Sequence, residues 1–206
     1  EIKDPDQRVD EQRTVDSTSS EHRLSIDMDA DRAYVGFVRR RYLTGHDAYI
    51  NISTNQGGTW RTGDTRLNTS WSPGSFDGDM QQVIVSSGGD NNVYALMVRR
   101  DFITKDAYAV SSADQGMTWS TPFNVTTYAS TDAKYQALAA APGGKAHIVV
   151  QDERDSGGGF LGYWSIWLRS TIDGGQNWGA WQRVNQLESA LRERAEMPTV
   201  CADDSG

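Results

Sequence analysis

The chain has 206 residues, 37% of them hydrophobic and 23% charged, with a formal net charge of -8. That is enough apolar material for a buried core. The acidic balance argues against a phosphate-backbone binder, which needs a basic surface. No apolar run approaches the roughly 20 residues of a membrane-spanning helix. A single cysteine, Cys201, excludes an internal disulfide framework and a cysteine-rich metal site.

The chain opens with a polar stretch over residues 1–20, rich in Asp, Gln and Ser, that reads as an arm or linker. Beyond it, short apolar or alternating runs are broken by turn residues, a strand pattern with no competing helical stripe. Strands are expected near "RLSIDMD", "AYVGFVRR", "AYINIST" and after Trp60. They are next expected near "QQVIVSS", "VYALMVRR", "AYAVSSA" and "TWSTPFNV", then near "YQALAAA", "AHIVVQD", "WSIWLRS" and "NWGAWQRVN". The first two strands of each group are joined by "DADR", "GGDNN" and "PGGK", combinations suited to tight hairpins.

The third and fourth strands of each group flank a recurring loop: "STNQGGTW" from Ser53, "SADQGMTW" from Ser112 and "TIDGGQNW" from Thr171. The spacing repeats over the whole unit, so the chain is a tandem array of four-stranded antiparallel meanders. Such an array predicts an all-β fold, a β-propeller with blades at about 21–79, 80–133 and 134–195 and the start of a fourth at 196–206. Three and a fraction blades leave open edges, so either a longer chain of six or more blades or self-association must complete the ring. In each loop an Asp or Asn (Asn55, Asp114, Asp173) is placed to bond its own turn. Glycines (Gly57, Gly116, Gly175) supply a positive φ, and tryptophans (Trp60, Trp119, Trp178) pack between sheets. These are folding devices; calcium would need six or more oxygen ligands that the loops do not supply.

Serine or threonine, Asp, Gly, Thr and Trp at this spacing form the Asp-box, or bacterial neuraminidase repeat, and Ser112 to Trp119 carries every fixed position; Asn55 and Asn177 are the departures in the other two copies. Residues 21–206 therefore resemble Asp-box propellers of the sialidase superfamily. The resemblance implies a secreted or surface protein that recognises extracellular glycans, with exo-glycosidase (glycoside hydrolase) activity when complete. Of that family's Arg-Ile-Pro motif only Arg23 stands in place, followed by Leu24 and Ser25. A non-catalytic structural or protein-interaction propeller is the alternative.

In such a fold the loops opposite the boxes carry ligands. Those between second and third strands begin with Arg39, Arg40 and Arg41, with Arg99, Arg100 and Asp101, and with Glu153, Arg154 and Asp155. Loops leading to the next unit add Trp71, Asp77 and Asp79, then Tyr128 and Asp132, then "ESALRERAE", which suits a short charged helix. Guanidinium groups suit carboxylate or sulfate, and aromatics beside carboxylates suit sugars; equally, Arg–Asp pairs can satisfy one another across the rim. His22, His46 and His147 are scattered without metal-ligand spacing, and no phosphate loop or nucleophile elbow is present, so neither metal nor cofactor is expected. Sequons at Asn51, Asn68 and Asn124 are assigned no role.

Overall fold

A computed structural model describes residues 24–41, 45–72, 79–100, 105–126, 134–152, 164–186, 195 and 197–203. These residues form twelve strands and no helix. The first sheet holds β1 (Ser25–Met28), β2 (Ala33–Arg41), β3 (Gly45–Ser53) and β4 (Thr65–Arg66). The second holds β5 (Asp79–Ser87), β6 (Val93–Arg100), β7 (Lys105–Ser112) and β8 (Phe123–Asn124). The third holds β9 (Lys134–Ala141), β10 (Lys145–Asp152), β11 (Ser165–Thr171) and β12 (Gln182–Arg183). Each sheet is antiparallel and keeps chain order, so the all-β, four-stranded expectation holds.

The second strand of each sheet is central and faces a sheet on either side where one is present. That is why "VYALMVRR" reads as an almost unbroken apolar run rather than an alternating one. Each sheet thus has a forward face, toward the next sheet in chain order, and a rear face. Tyr34, Ile50 and Leu67 of the first forward face pack on Val83, Val85 and Met97 of the second rear face. Tyr94, Leu96 and Val125 repeat the arrangement against Leu138, Ile148 and Val150. The first seam is close: a Cβ on Gly36 would lie 2.7 Å from Cγ1 of Val83. Side chains also cross it, Ser25 Oγ accepting from Val85 N–H (3.1 Å) and Asp27 Oδ2 from Ser87 N–H (2.7 Å). Ser86 Oγ takes the equivalent bond from Ala140 N–H at the second seam, 3.0 Å.

The recurring loops turn by consecutive left-handed residues, Gln56 and Gly57, Gln115 and Gly116, Gly174 and Gly175, with φ between 55° and 86°. In the second loop Ser112 Oγ accepts from Gly116 N–H (2.8 Å), while Asp114 Oδ1 accepts from Thr118 N–H (2.8 Å) and Oδ2 from the Thr118 hydroxyl (2.6 Å). Asn55 and Asp173 take the same bond from Thr59 N–H (2.7 Å) and Asn177 N–H (2.9 Å). Trp119 donates Nε1–H to Gly116 O at 3.2 Å and packs on the first core; Trp178 packs on the second. Backbone bonds Gln56 to Asp31, Gln115 to Asn91 and Gly174 to Gly144 tie each loop to the first hairpin of its own sheet, so hairpins and loops share one face.

The fourth strands are a correction to the expectation. They do not begin at the tryptophans but are two residues long and start several residues later. After the loop the chain makes one ladder bond (Arg61 to Ile52, Ser120 to Ser111, Gly179 to Ser170) and then leaves the sheet. Gly63, at a φ of 105°, turns the first detour, and Pro122 has no N–H with which to continue the second.

Candidate functional site

The rim opposite the recurring loops is where β2 meets β3 and β6 meets β7, and where β5 begins. Two of the arginines that reach it are drawn inward. Arg39 donates to Asp64 Oδ2 at 2.8 Å, and its guanidinium lies 3.9 Å from the Tyr49 ring centroid. Asp64, its side chain 1% exposed, also accepts from Asn51 Nδ2 at 2.9 Å. Arg99 donates to Asp106 Oδ2 at 3.1 Å and sits 5.7 Å over Trp71 and 5.4 Å over Tyr108. Trp71 meets Tyr108 edge-on, centroids 4.7 Å apart, and packs on the first core. Arg39 thus braces its own sheet, while Arg99 and Trp71 hold the first and second sheets together. Asn51 and Asn68 are buried at 2% and 0%, so their sequons are closed to glycosylation.

Arg40 and Arg100, one step further out, are exposed. Arg40 is the cross-strand partner of His46, and Arg100 of Asp79. His46 and Asp79 join across the seam: Asp79 Oδ1 accepts from His46 N–H at 3.0 Å and lies 2.6 Å from Nδ1 of the ring. Gln81 Nε2 donates to Asp79 Oδ2 at 2.7 Å. Burial raises the Asp79 pKa, but the bonds from His46, the imidazole charge and Gln81 outweigh it and hold the carboxyl below the ordinary range. An aspartate on Nδ1 fixes the ring orientation and places a proton on Nδ1. Arg40 thus presents an exposed guanidinium beside His46 at the rim of the first seam, and Arg100, turned the opposite way from Arg99, holds the equivalent place toward the second, groups suited to binding an oxygen-rich or anionic ligand.

Position by position, the second seam differs. Lys105 pairs with Arg100 as His46 pairs with Arg40, and Lys134 begins β9, its ammonium 4.1 Å over the Trp164 ring. Reading the sequence alone passes over His46 because its partner is 33 residues away; only the seam joins them. Arg23, Asp77, Asp101, Glu153, Arg154 and Asp155, together with Tyr128, Asp132 and most of "ESALRERAE", lie outside the described residues. Clefts on the opposite face, lined by Asp29, Asp31, Asn55 and Asp90, hold carboxylates already committed to turns: Asp90 binds Asn92 and Gly143 N–H, 2.8 and 2.9 Å. Among the described residues no group of three or more His, Cys, Asp or Glu is placed to hold a metal ion, and no helix is long and apolar enough to cross a membrane.

No family model matches the chain, and no curated protein is similar to it. Among solved structures it is similar to the Hadza microbial sialidase Hz136, with 14% identity over 77% of this chain and 36% of that one and a TM-score of 0.54. It is also similar to a protein of unknown function from Dyadobacter fermentans, at 14% identity over 78% of this chain and 50% of that one, TM-score 0.50. An α-L-arabinanase from Penicillium chrysogenum matches at 13% identity over 74% and 45% of the two chains, TM-score 0.49. The chain spans half or less of the length of each. Identities this low show a shared fold and nothing of the chemistry.

Proposed function

We propose that this chain is part of an Asp-box propeller of sialidase type, secreted or displayed at a surface, whose rim opposite the recurring loops recognises carbohydrate. The observation that carries the reading is the rim itself. Exposed Arg40 stands beside the His46–Asp79 pair and exposed Arg100 holds the equivalent place toward the second seam, while Arg39 and Arg99 are spent on internal contacts. Planar guanidinium groups grip carboxylate or sulfate bidentately. The fold shared with a sialidase agrees with this and adds no residue-level support. Exo-glycosidase activity, in this reading, falls to loop carboxylates such as Asp77, Asp101, Glu153 and Asp155 in the complete protein, since hydrolysis needs a pair of acids about a sugar apart.

The test is binding of a panel of neutral, carboxylated and sulfated oligosaccharides by calorimetry, on wild type and on Arg40→Ala and Arg100→Ala. Both substitutions are at exposed sites and leave the fold intact. Loss of binding by at least tenfold in each supports the rim; binding that persists in both overturns it. A second reading, a non-catalytic interaction propeller, is favoured by the internal pairing of Arg39 and Arg99. It predicts a protein ligand for the same rim and no glycan affinity in the wild type.

A further inference from the structure

The three sheets are repeats, so each rim position can be compared with its equivalents. Arg40 pairs across the strands with His46, and Arg100 with Lys105, each one step beyond the pairs Arg39–Asp47 and Arg99–Asp106. Strand alternation turns both outer pairs forward: Arg40 and His46 share a face with Tyr34 and Ile50, and Arg100 and Lys105 with Tyr94 and Ala109, which pack in the first and second seams. Arg40 and Arg100 are exposed, His46 and Lys105 half-buried. Position and side are thus the same on two successive sheets, and the chemistry is basic each time, in a chain whose net charge is -8. In the third sheet Asp152 and Ser165 hold the inner pair, and the place of His46 and Lys105 falls to Trp164, 5% exposed beneath the Lys134 ammonium. Among the described residues the basic array therefore spans two repeats.

We propose that the two basic pairs hold one polyanionic polysaccharide, laid along the rim from the first seam to the second with an acidic sugar at each. This rests on the carbohydrate reading above and names its ligand class: a chain bearing carboxylate or sulfate at regular intervals, bound along its length and not by a single terminal sugar. Stacked sheets lie about 10 Å apart, comparable with the length of a disaccharide, so successive acidic groups of such a chain fall at successive seams. Each guanidinium takes an acid group by two parallel bonds, and the Lys105 ammonium adds a point charge that needs no fixed orientation. Carboxylates of the same strands are committed elsewhere: Asp79 to His46 and Gln81, Asp106 to Arg99, Asp47 to Asn68. Once one pair is engaged, the second binds at the effective concentration that the first sets, so a chain reaching both binds more tightly than a unit reaching one.

The experiment is calorimetric titration of the full chain with oligouronates, from the disaccharide to about ten sugars, beside neutral oligosaccharides and single-stranded DNA of matched lengths. Affinity rises by about tenfold or more from the disaccharide to the longest oligouronate, with one long chain bound per protein. Arg100→Ala and Lys105→Ala, with circular dichroism unchanged, each weaken the long oligouronate more than the disaccharide, which the first seam still holds. Added salt likewise weakens the long oligouronate more, because it screens more charged contacts. A disaccharide bound as tightly as the long oligouronate, or a length dependence untouched by both substitutions, overturns the two-seam proposal and leaves the carbohydrate rim standing. Neutral oligosaccharides bound as tightly as acidic ones overturn the polyanion, again without touching that rim. DNA bound as tightly as the oligouronate overturns the saccharide assignment, and a wild type that binds no saccharide overturns both readings.

Discussion

Gly116 sits where backbone conformation and inter-sheet contact coincide, and Gly57 provides its control. Both glycines are left-handed, at φ of 81° and 86°. A Cβ on Gly116 would lie 2.4 Å from Cδ1 of Ile52, a residue 1% exposed at the first seam. The nearest atom to a Cβ on Gly57 is Trp60 Cζ2, at an ordinary 3.9 Å. Alanine at either position meets the left-handed penalty of about 1–2 kcal/mol. Only Gly116→Ala adds the overpacking of a filled core, about 1–3 kcal/mol. The difference between the two variants is therefore about 1–3 kcal/mol, which at about 2–4 °C per kcal/mol separates their Tm values by several degrees. Urea denaturation reads it, and Ile52→Val checks the cause. That substitution costs about 1 kcal/mol in the wild type, and in the Gly116→Ala background it costs less or stabilises, because Cδ1 is the clashing atom. Equal losses for Gly57→Ala and Gly116→Ala, or strict additivity with Ile52→Val, would refute the reasoning.

Two tyrosines at equivalent positions predict opposite outcomes. The Tyr34 hydroxyl donates to Asp29 Oδ2 at 2.8 Å, so Tyr34→Phe costs about 1–2 kcal/mol; the buried Tyr94 hydroxyl has no hydrogen-bond partner among the described residues, so Tyr94→Phe is neutral or stabilising in the same urea titration. Burial raises both phenol pKa values, Asp29 adding to it at Tyr34 and Asp90 at Tyr94. In acid, the bonds from the Thr118 side chain and backbone lower the Asp114 pKa to about 2. A carboxyl whose folded pKa is depressed stabilises above its unfolded value of about 4 and loses that contribution as pH falls toward 2. Asp114→Asn should therefore flatten the acid limb of stability between those pH values, measured by circular dichroism melts; an unchanged limb would remove the loop carboxylate from the account. Arg39→Ala strips Asp64 of its cation and costs on the order of 3 kcal/mol. Arg40→Ala, at an exposed site, changes stability by less than about 0.5 kcal/mol, so calorimetry of the pair separates the scaffold arginine from the exposed one.

The sequence by itself determined what is local. Hairpins need Gly, Asp or Asn within a few residues, and "DADR", "GGDNN" and "PGGK" stand where β1 meets β2, β5 meets β6 and β9 meets β10. The recurring loops are closed by bonds spanning four residues, such as Asp114 to Thr118, so their spacing could be read from the chain. Long apolar runs marked the second strands because both faces of a central strand need apolar partners. The tertiary contacts, by contrast, set which arginines are drawn inward and which stay exposed. Arg39 and Arg40 are adjacent and chemically identical, but strand alternation turns one toward Asp64 and Tyr49 and leaves the other exposed at the rim. The same holds for His46 and Asp79, 33 residues apart and joined only where two sheets stack. Side-chain periodicity says that a residue points to a face; what covers that face is set by the packing of one sheet on the next.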